Sequence, residues 1–275
     1  MARTKRKSPR KADHLATFFE ATTPGAFIAQ HTVFTIDQLR EAYRKMRRDP
    51  KVARDLVAYH LAQGNLLSVR RGVYAAPRGV DPFALAACMA PDAVVAYDGA
   101  LFFHRRDVFR HSIHYLTAHR PPQLDWNEIV YTPVHAPERL AAGGLLEGAT
   151  SSGHPLRVTG FEETLVDCLD RLELGPGVEV LWDVIKSTPF IDVARATRHW
   201  DRLGRSPLLA SRLGVFLKAN GRVEDRDLVA LELGCLKQPG YFDRSDRKKH
   251  RQEIISRWNL IAPPEVVERW LETAR

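Results

Sequence analysis

The chain has 275 residues, with 41 Lys+Arg against 33 Asp+Glu, a formal net charge of +8 and a pI near 9.6. Hydrophobic residues make up 44% and charged residues 27%, a globular composition that excludes a wholly disordered chain, a collagen or a coiled-coil array, and the length suits about two domains. No apolar run approaches the ~20 residues that cross a bilayer, and no apolar stretch of signal-peptide length follows the basic N-terminus, so a cytoplasmic protein without a membrane partner is expected.

The charge is unevenly placed. Residues 1–80 hold 16 Lys+Arg and 6 Asp+Glu, a local excess of +10, while the remainder holds 25 and 27, a net −2. Such asymmetry points to a polyanion-binding module joined to a part with another task. Residues 1–11 are a basic stretch without apolar periodicity, expected as a flexible arm.

Leu15, Phe18 and Phe19 stand at helical spacing and predict a short helix over 12–21, with Thr23-Pro24-Gly25 as its stop. Thr35 and Gln38 have the spacing of a capping box. Behind them Ile36, Leu39, Tyr43 and Met46 mark one face of a second helix that ends at Arg47-Arg48. Asp49-Pro50 starts a third helix running to about Gln63. At ~100° per residue Ala53, Leu56, Val57 and His60 face inward. Lys51, Arg54, Asp55, Ala58 and Ala62 face outward, with Tyr59 on that edge. Residues 66–69 and 73–76 predict two short strands joined by Arg70-Arg71-Gly72. Three helices and a basic hairpin in that order are the layout of a winged helix-turn-helix over residues 12–78, with the third helix as reader and the hairpin as wing.

Residues 79–275 are expected to form a larger mixed α/β domain with a helical C-terminal part. Asp81-Pro82 caps a helix, 94–96 is a strand, 97–104 a helix, and 111–118 and 128–134 are strands. The Gly/Ala/Ser-rich stretch 136–156 is expected as a loop. Thr159 and Glu162 predict a second capping box ahead of a helix carrying Leu165, Cys168, Leu169 and Leu172. Further helices follow around Leu181, around Trp200 and after Ser206-Pro207; then come a strand pair at 254–261 and a last helix beyond Pro263-Pro264.

Several chemical signals fade on inspection. Cys88, Cys168 and Cys235 sit among apolar neighbours and are expected as buried free thiols. His104, His111, His114 and His119 crowd together, but His111 and His114 are three apart on a predicted strand and face opposite sides, so no metal or other cofactor is expected. Asp246-Arg247-Lys248 has the acid-x-Lys order of a nuclease, yet stands in a very hydrophilic run. There is no phosphate loop and no nucleophile elbow, so binding rather than catalysis is expected. The DNA-contacting residues implied by the pattern are Arg47, Arg48, Lys51, Arg54, Tyr59, Arg70 and Arg71. They place cations at the rim of the reader face and leave small residues at its centre.

Residues 61–74 (Leu-Ala-Gln-Gly-Asn-Leu-Leu-Ser-Val-Arg-Arg-Gly-Val-Tyr) resemble the end of the winged-helix domain of AbiEi-family antitoxins, from type IV, abortive-infection toxin–antitoxin pairs. Further similarity runs through residues 96–104, 160–171, 237–243 and 256–263. The resemblance implies a protein that binds inverted repeats in its own promoter, represses the operon, and counteracts a nucleotidyltransferase-like toxin. It implies a nuclease-like α/β core without nuclease activity in the C-terminal domain. By position, Arg70 and Arg71 match the family's basic wing and Lys51 and Arg54 its reader helix; the N-terminal arm has no counterpart in the motif. Two other readings stay open on the residues alone. One is a ligand-sensing winged-helix repressor, the other a metal-dependent nuclease of the restriction type.

Overall fold

The computed structural model describes residues 21–105, 111–243 and 253–273, and is a mixed α+β fold with several sheets. The described residues fall into two compact units. One is drawn from 1–95, 115–135 and 145–158, the other from 96–114, 136–144 and 159–275. The helix expected over 12–21 and the triplet at 246–248 lie outside the described residues, apart from Ala21.

The first unit begins with α1 (Pro24–Gln30), where Thr23-Pro24 opens a helix instead of ending one. The Thr23 hydroxyl accepts from the Ala26 N–H at 3.1 Å, and proline occupies the first turn, where its missing N–H costs nothing. Strand β1 (Val33–Thr35) leads into α2 (Ile36–Lys45) through the expected capping box. Thr35 N–H donates to Gln38 Oε1 at 2.7 Å, and Gln38 N–H to Thr35 Oγ1 at 3.1 Å. After Arg47, Asp49 caps a tight 3-10 turn over Pro50–Val52, and the regular helix α3 covers Ala53–Ala62. The hairpin of β2 (Leu67–Arg70) and β3 (Val73–Ala75) turns through Gly72 at φ 79°. Thr35 pairs with Val73 and Val33 with Ala75, so β1 completes an antiparallel sheet of order β1-β3-β2. Phe27, Phe34, Leu39, Tyr43, Val57 and Leu66 are buried together beneath these elements.

Asp81 Oδ1 caps α4 (Pro82–Ala87) by accepting from the Phe83 and Ala84 N–H groups. The largest sheet has the order β6-β7-β5-β4-β9-β8. Its strands are β4 (Val94–Ala96), β5 (Ser112–Thr117), β6 (Leu124–Trp126), β7 (Ile129–His135), β8 (Leu145–Ala149) and β9 (Pro155–Thr159). β6 and β7 form a hairpin whose two turn residues, Asn127 and Glu128, both take positive φ (50° and 64°), the primed-turn geometry that matches strand twist. The stretch 136–156, expected as a loop, instead holds helix α6 (Pro137–Ala142) and strands β8 and β9. Three of its four glycines stand between elements: Gly143, Gly144 and Gly153 sit at φ 78–80°.

In the second unit α5 (Tyr97–His104) and α7 (Phe161–Asp170) pack together, with α8 (Val178–Ser187), α9 (Val193–Arg202), α10 (Pro207–Ala219) and α11 (Asp225–Gly234) around them. The expected second capping box does not form. Gly160 is the N-cap of α7, Thr159 Oγ1 bonds Thr164 Oγ1 at 2.7 Å, and Glu162 turns to the backbone N–H of Asp192. A small sheet of order β10-β12-β11 follows, built from Gly240–Tyr241, Glu253–Ile255 and Leu260–Ala262, and the last helix α12 spans Pro264–Thr273. The fully buried Trp258 lies against Gly214 of α10, where an added Cβ would overlap the indole ring. The three cysteines are buried free thiols, as their surroundings in the sequence suggested.

Candidate nucleic-acid interface

Among the described residues, Arg47, Arg48, Lys51, Arg54 and Arg71 stand on one turn, one helix face and one hairpin tip. Helix α2 ends in a Schellman arrangement. Arg48 N–H donates to the Tyr43 carbonyl (2.9 Å) and Arg47 N–H to that of Arg44 (2.9 Å). The position that usually takes glycine is Arg47, at φ 56°. Its side chain and that of Arg48 are exposed.

Along the following turn and α3 the amphipathic division holds. Ala53 and Val57 are buried, and Leu56 and His60 half-buried. Lys51, Arg54, Asp55, Ala58, Tyr59 and Ala62 are exposed, Tyr59 to 59%. Arg71 is exposed at the hairpin tip.

The cations of this group differ from the arginines of α2 in their ion pairing. On α2, Arg40 pairs with Asp37 at 3.0 Å and Arg44 with Glu41 at 2.8 Å. Among the described residues, no ion pair involves Arg47, Arg48, Lys51, Arg54 or Arg71. Burial raises the pKa of the Tyr43 hydroxyl; Arg48 lowers it and Asp55 raises it, so both charges are felt at that ring.

Of the two arginines expected in the wing, Arg70 has other surroundings than Arg71. It is half-buried, and its guanidinium donates to the Met89 carbonyl at 3.3 Å and lies 3.8 Å from the Met89 sulfur. A β-bulge between Ser68 and Arg70 displaces its register and turns it from the tip.

A second polar group of the same unit is sealed from water. His154 Nδ1–H donates to the Pro155 carbonyl at 2.9 Å, leaving Nε2 to accept. Cys88 Sγ lies 3.4 Å and Gln38 Nε2 3.4 Å from that Nε2. Burial pushes the Cys88 thiol up to about 12 and His154 down to about 4, so both are neutral and the cluster fastens α2 to its neighbours without acting as a thiolate–imidazolium pair.

In the second unit Asp167, 1% exposed, receives Arg139 of α6 and His199 Nε2 (3.0 Å), while Arg139 also pairs with Asp170. Arg195 spans Glu163 (2.8 Å) and Glu162 (3.7 Å). The buried Asp167 and Glu163 are thus each paired with an arginine, Arg139 buried and Arg195 half-buried. The four clustered histidines go to separate surroundings. His104 bonds the Thr159 carbonyl at 2.7 Å, His114 bonds Asp98 at 2.7 Å, His119 lies 3.7 Å from Asp92, and His111 is exposed.

No protein-family model and no curated protein matches the chain. Among solved structures, it is similar to the crystal structure of the RV2827C protein from Mycobacterium tuberculosis. The TM-score is 0.60 at 17% sequence identity, over 94% of each chain. At that identity the likeness is one of fold, and the two chains share a mixed α+β architecture.

Proposed function

We propose that α1 to β3 form a winged helix-turn-helix that binds double-stranded DNA, with α3 as the reader helix and the β2–β3 hairpin as the wing. The observation that carries the reading is the set of five exposed cations without counter-charges (Arg47, Arg48, Lys51, Arg54, Arg71) around a helix face whose centre is Ala58 and Ala62. A duplex presents about one phosphate per 1.7 Å, and cations at the rim with small residues at the centre let the helix enter the major groove. Tyr59 adds a ring and hydroxyl at the edge of that face.

Fluorescence anisotropy with a duplex from the upstream region of the gene tests it. Log affinity should fall with log salt with a slope of about −4 to −5, near −0.9 for each neutralised phosphate. A slope near zero, or one unchanged by Lys51→Ala with Arg54→Ala, overturns the reading.

The wider role we propose is that of an autoregulating antitoxin acting by binding, supported by the ordered resemblance to AbiEi-family antitoxins from the wing through residues 256–263. The partner is then a nucleotidyltransferase-like toxin encoded beside it. Expression of the adjacent gene should arrest growth, and co-expression of this chain should relieve the arrest. A harmless neighbour overturns the antitoxin role and leaves DNA binding to be judged by its own test.

A further inference from the structure

We propose that Asp55 is a base-selecting residue of the α3 face and that it selects cytosine, accepting from the exocyclic amine at N4 in the major groove; this rests on the DNA-binding reading above. Asp55 is the third residue of α3, in the turn that reader helices direct at base edges. Carboxylates at helix starts ordinarily cap the backbone or pair with a cation three or four residues on. Asp55 does neither. The N-cap is Val52, with no side-chain capping bond, and positions 58 and 59 are Ala and Tyr. Among the described residues, Asp55 makes no ion pair and no side-chain hydrogen bond. On α2, by contrast, Asp37 and Glu41 are both paired with arginines.

The result is one exposed carboxylate without a partner in the middle of a cationic surface. Against a phosphate it is repelled. In the major groove it meets hydrogen-bond donors at two bases only, the amines of cytosine and adenine. The adenine amine stands beside the N7 acceptor, whose lone pair opposes a carboxylate; the cytosine edge presents the amine alone. The bare methyl of Ala58, one turn on and also exposed, leaves the backbone free to come close enough for a side chain as short as aspartate to reach.

Selection of duplexes from a randomised pool by the full-length protein, followed by anisotropy on single-base variants, tests this for the wild type, Asp55→Ala and Asp55→Asn. Wild type should enrich cytosine at one position in each half-site, and replacing it should weaken binding roughly tenfold or more. Asp55→Ala should lose that preference while binding mixed duplex at low salt at least as tightly, because a repulsive charge is gone. Asp55→Asn should shift the preference to adenine, whose amine and N7 match a carboxamide. A role confined to starting the helix would lower the melting temperature and leave base preference alone, and that pattern overturns the inference. So does an unchanged preference in Asp55→Ala. A wild type that shows no salt-dependent duplex binding overturns the DNA-binding reading itself, a different failure from sequence preference that ignores Asp55.

Discussion

Arg70 and Arg71 are neighbours in the chain with opposite surroundings: Arg70 donates inward to the Met89 carbonyl at 3.3 Å, and Arg71 stands exposed at the hairpin tip. Their single substitutions should therefore separate. Arg71→Ala should weaken duplex binding, flatten the salt slope by about one unit and leave stability within about 0.5 kcal/mol. Arg70→Ala should lower stability by about 1 kcal/mol, the ordinary loss for one hydrogen bond, with a smaller change in salt slope. Urea denaturation and salt-dependent anisotropy on both variants decide it; equal effects on the slope would sink the division of roles.

Arg47 makes a sharper case, because its backbone would be better served by another residue. It holds φ 56° at the end of α2, where a side chain costs about 1 kcal/mol relative to glycine. Arg47→Gly should stabilise the first unit by about that amount and at the same time weaken DNA binding. A gain in stability with undiminished binding would show that the guanidinium has no part in the interface.

Acid should loosen the protein through His154. Its pKa is depressed by burial from the ordinary 6.5 to about 4, so the neutral ring belongs to the folded state. Below pH 6.5 the unfolded chain takes up a proton that the folded one refuses, and stability falls as pH drops toward 4, by about 3 kcal/mol at the limit. His104, also lowered by burial, acts in the same direction. Urea midpoints at pH 7 and pH 5 should differ for the wild type and differ less for His154→Gln. An equal pH dependence would remove His154 from the explanation.

Asp167 anchors the second unit by receiving both Arg139 and His199 while 1% exposed. Asp167→Asn leaves Arg139 with only Asp170 to balance it and should lose about 3–5 kcal/mol. Thermal melting reads this directly, and a loss under 1 kcal/mol would mean that the carboxylate is not the anchor.

Much of the first unit is legible in its sequence because its signals are local. The Thr35–Gln38 box, the Asp49-Pro50 and Asp81-Pro82 starts and the Gly72 turn each need only a few adjacent residues. Thr23-Pro24 misleads because the same pair stops one helix or starts another, and only the direction of packing, with Phe27 and Ile28 buried behind it, decides. The second half is harder. Thr159 and Glu162 have capping-box spacing, but Glu162 instead accepts from the Asp192 N–H and, with Glu163, faces the half-buried Arg195, contacts far along the chain. Helix α11 escapes notice because Leu228 and Leu231 alone are buried, while Val229 and Leu233 are exposed. The division of α3 into a buried and an exposed face is visible in the sequence as a periodicity. That Arg70 turns inward, and that the remaining cations have no counter-charges, depends on a bulge and on contacts far along the chain.

The cations that α2, α3 and the hairpin leave without counter-charges also repel one another. With no polyanion present, mobile ions and the Asp55 carboxylate are what offset that repulsion, and the Debye length of ~10 Å at 0.1 M shortens to ~3 Å at 1 M. Raising salt should thus harden the free protein against heat, and on the proposed DNA-binding role it should weaken duplex binding, so that the two titrations run in opposite directions. A surface of neighbouring like charges is a spring held compressed, and ionic strength sets how hard it pushes.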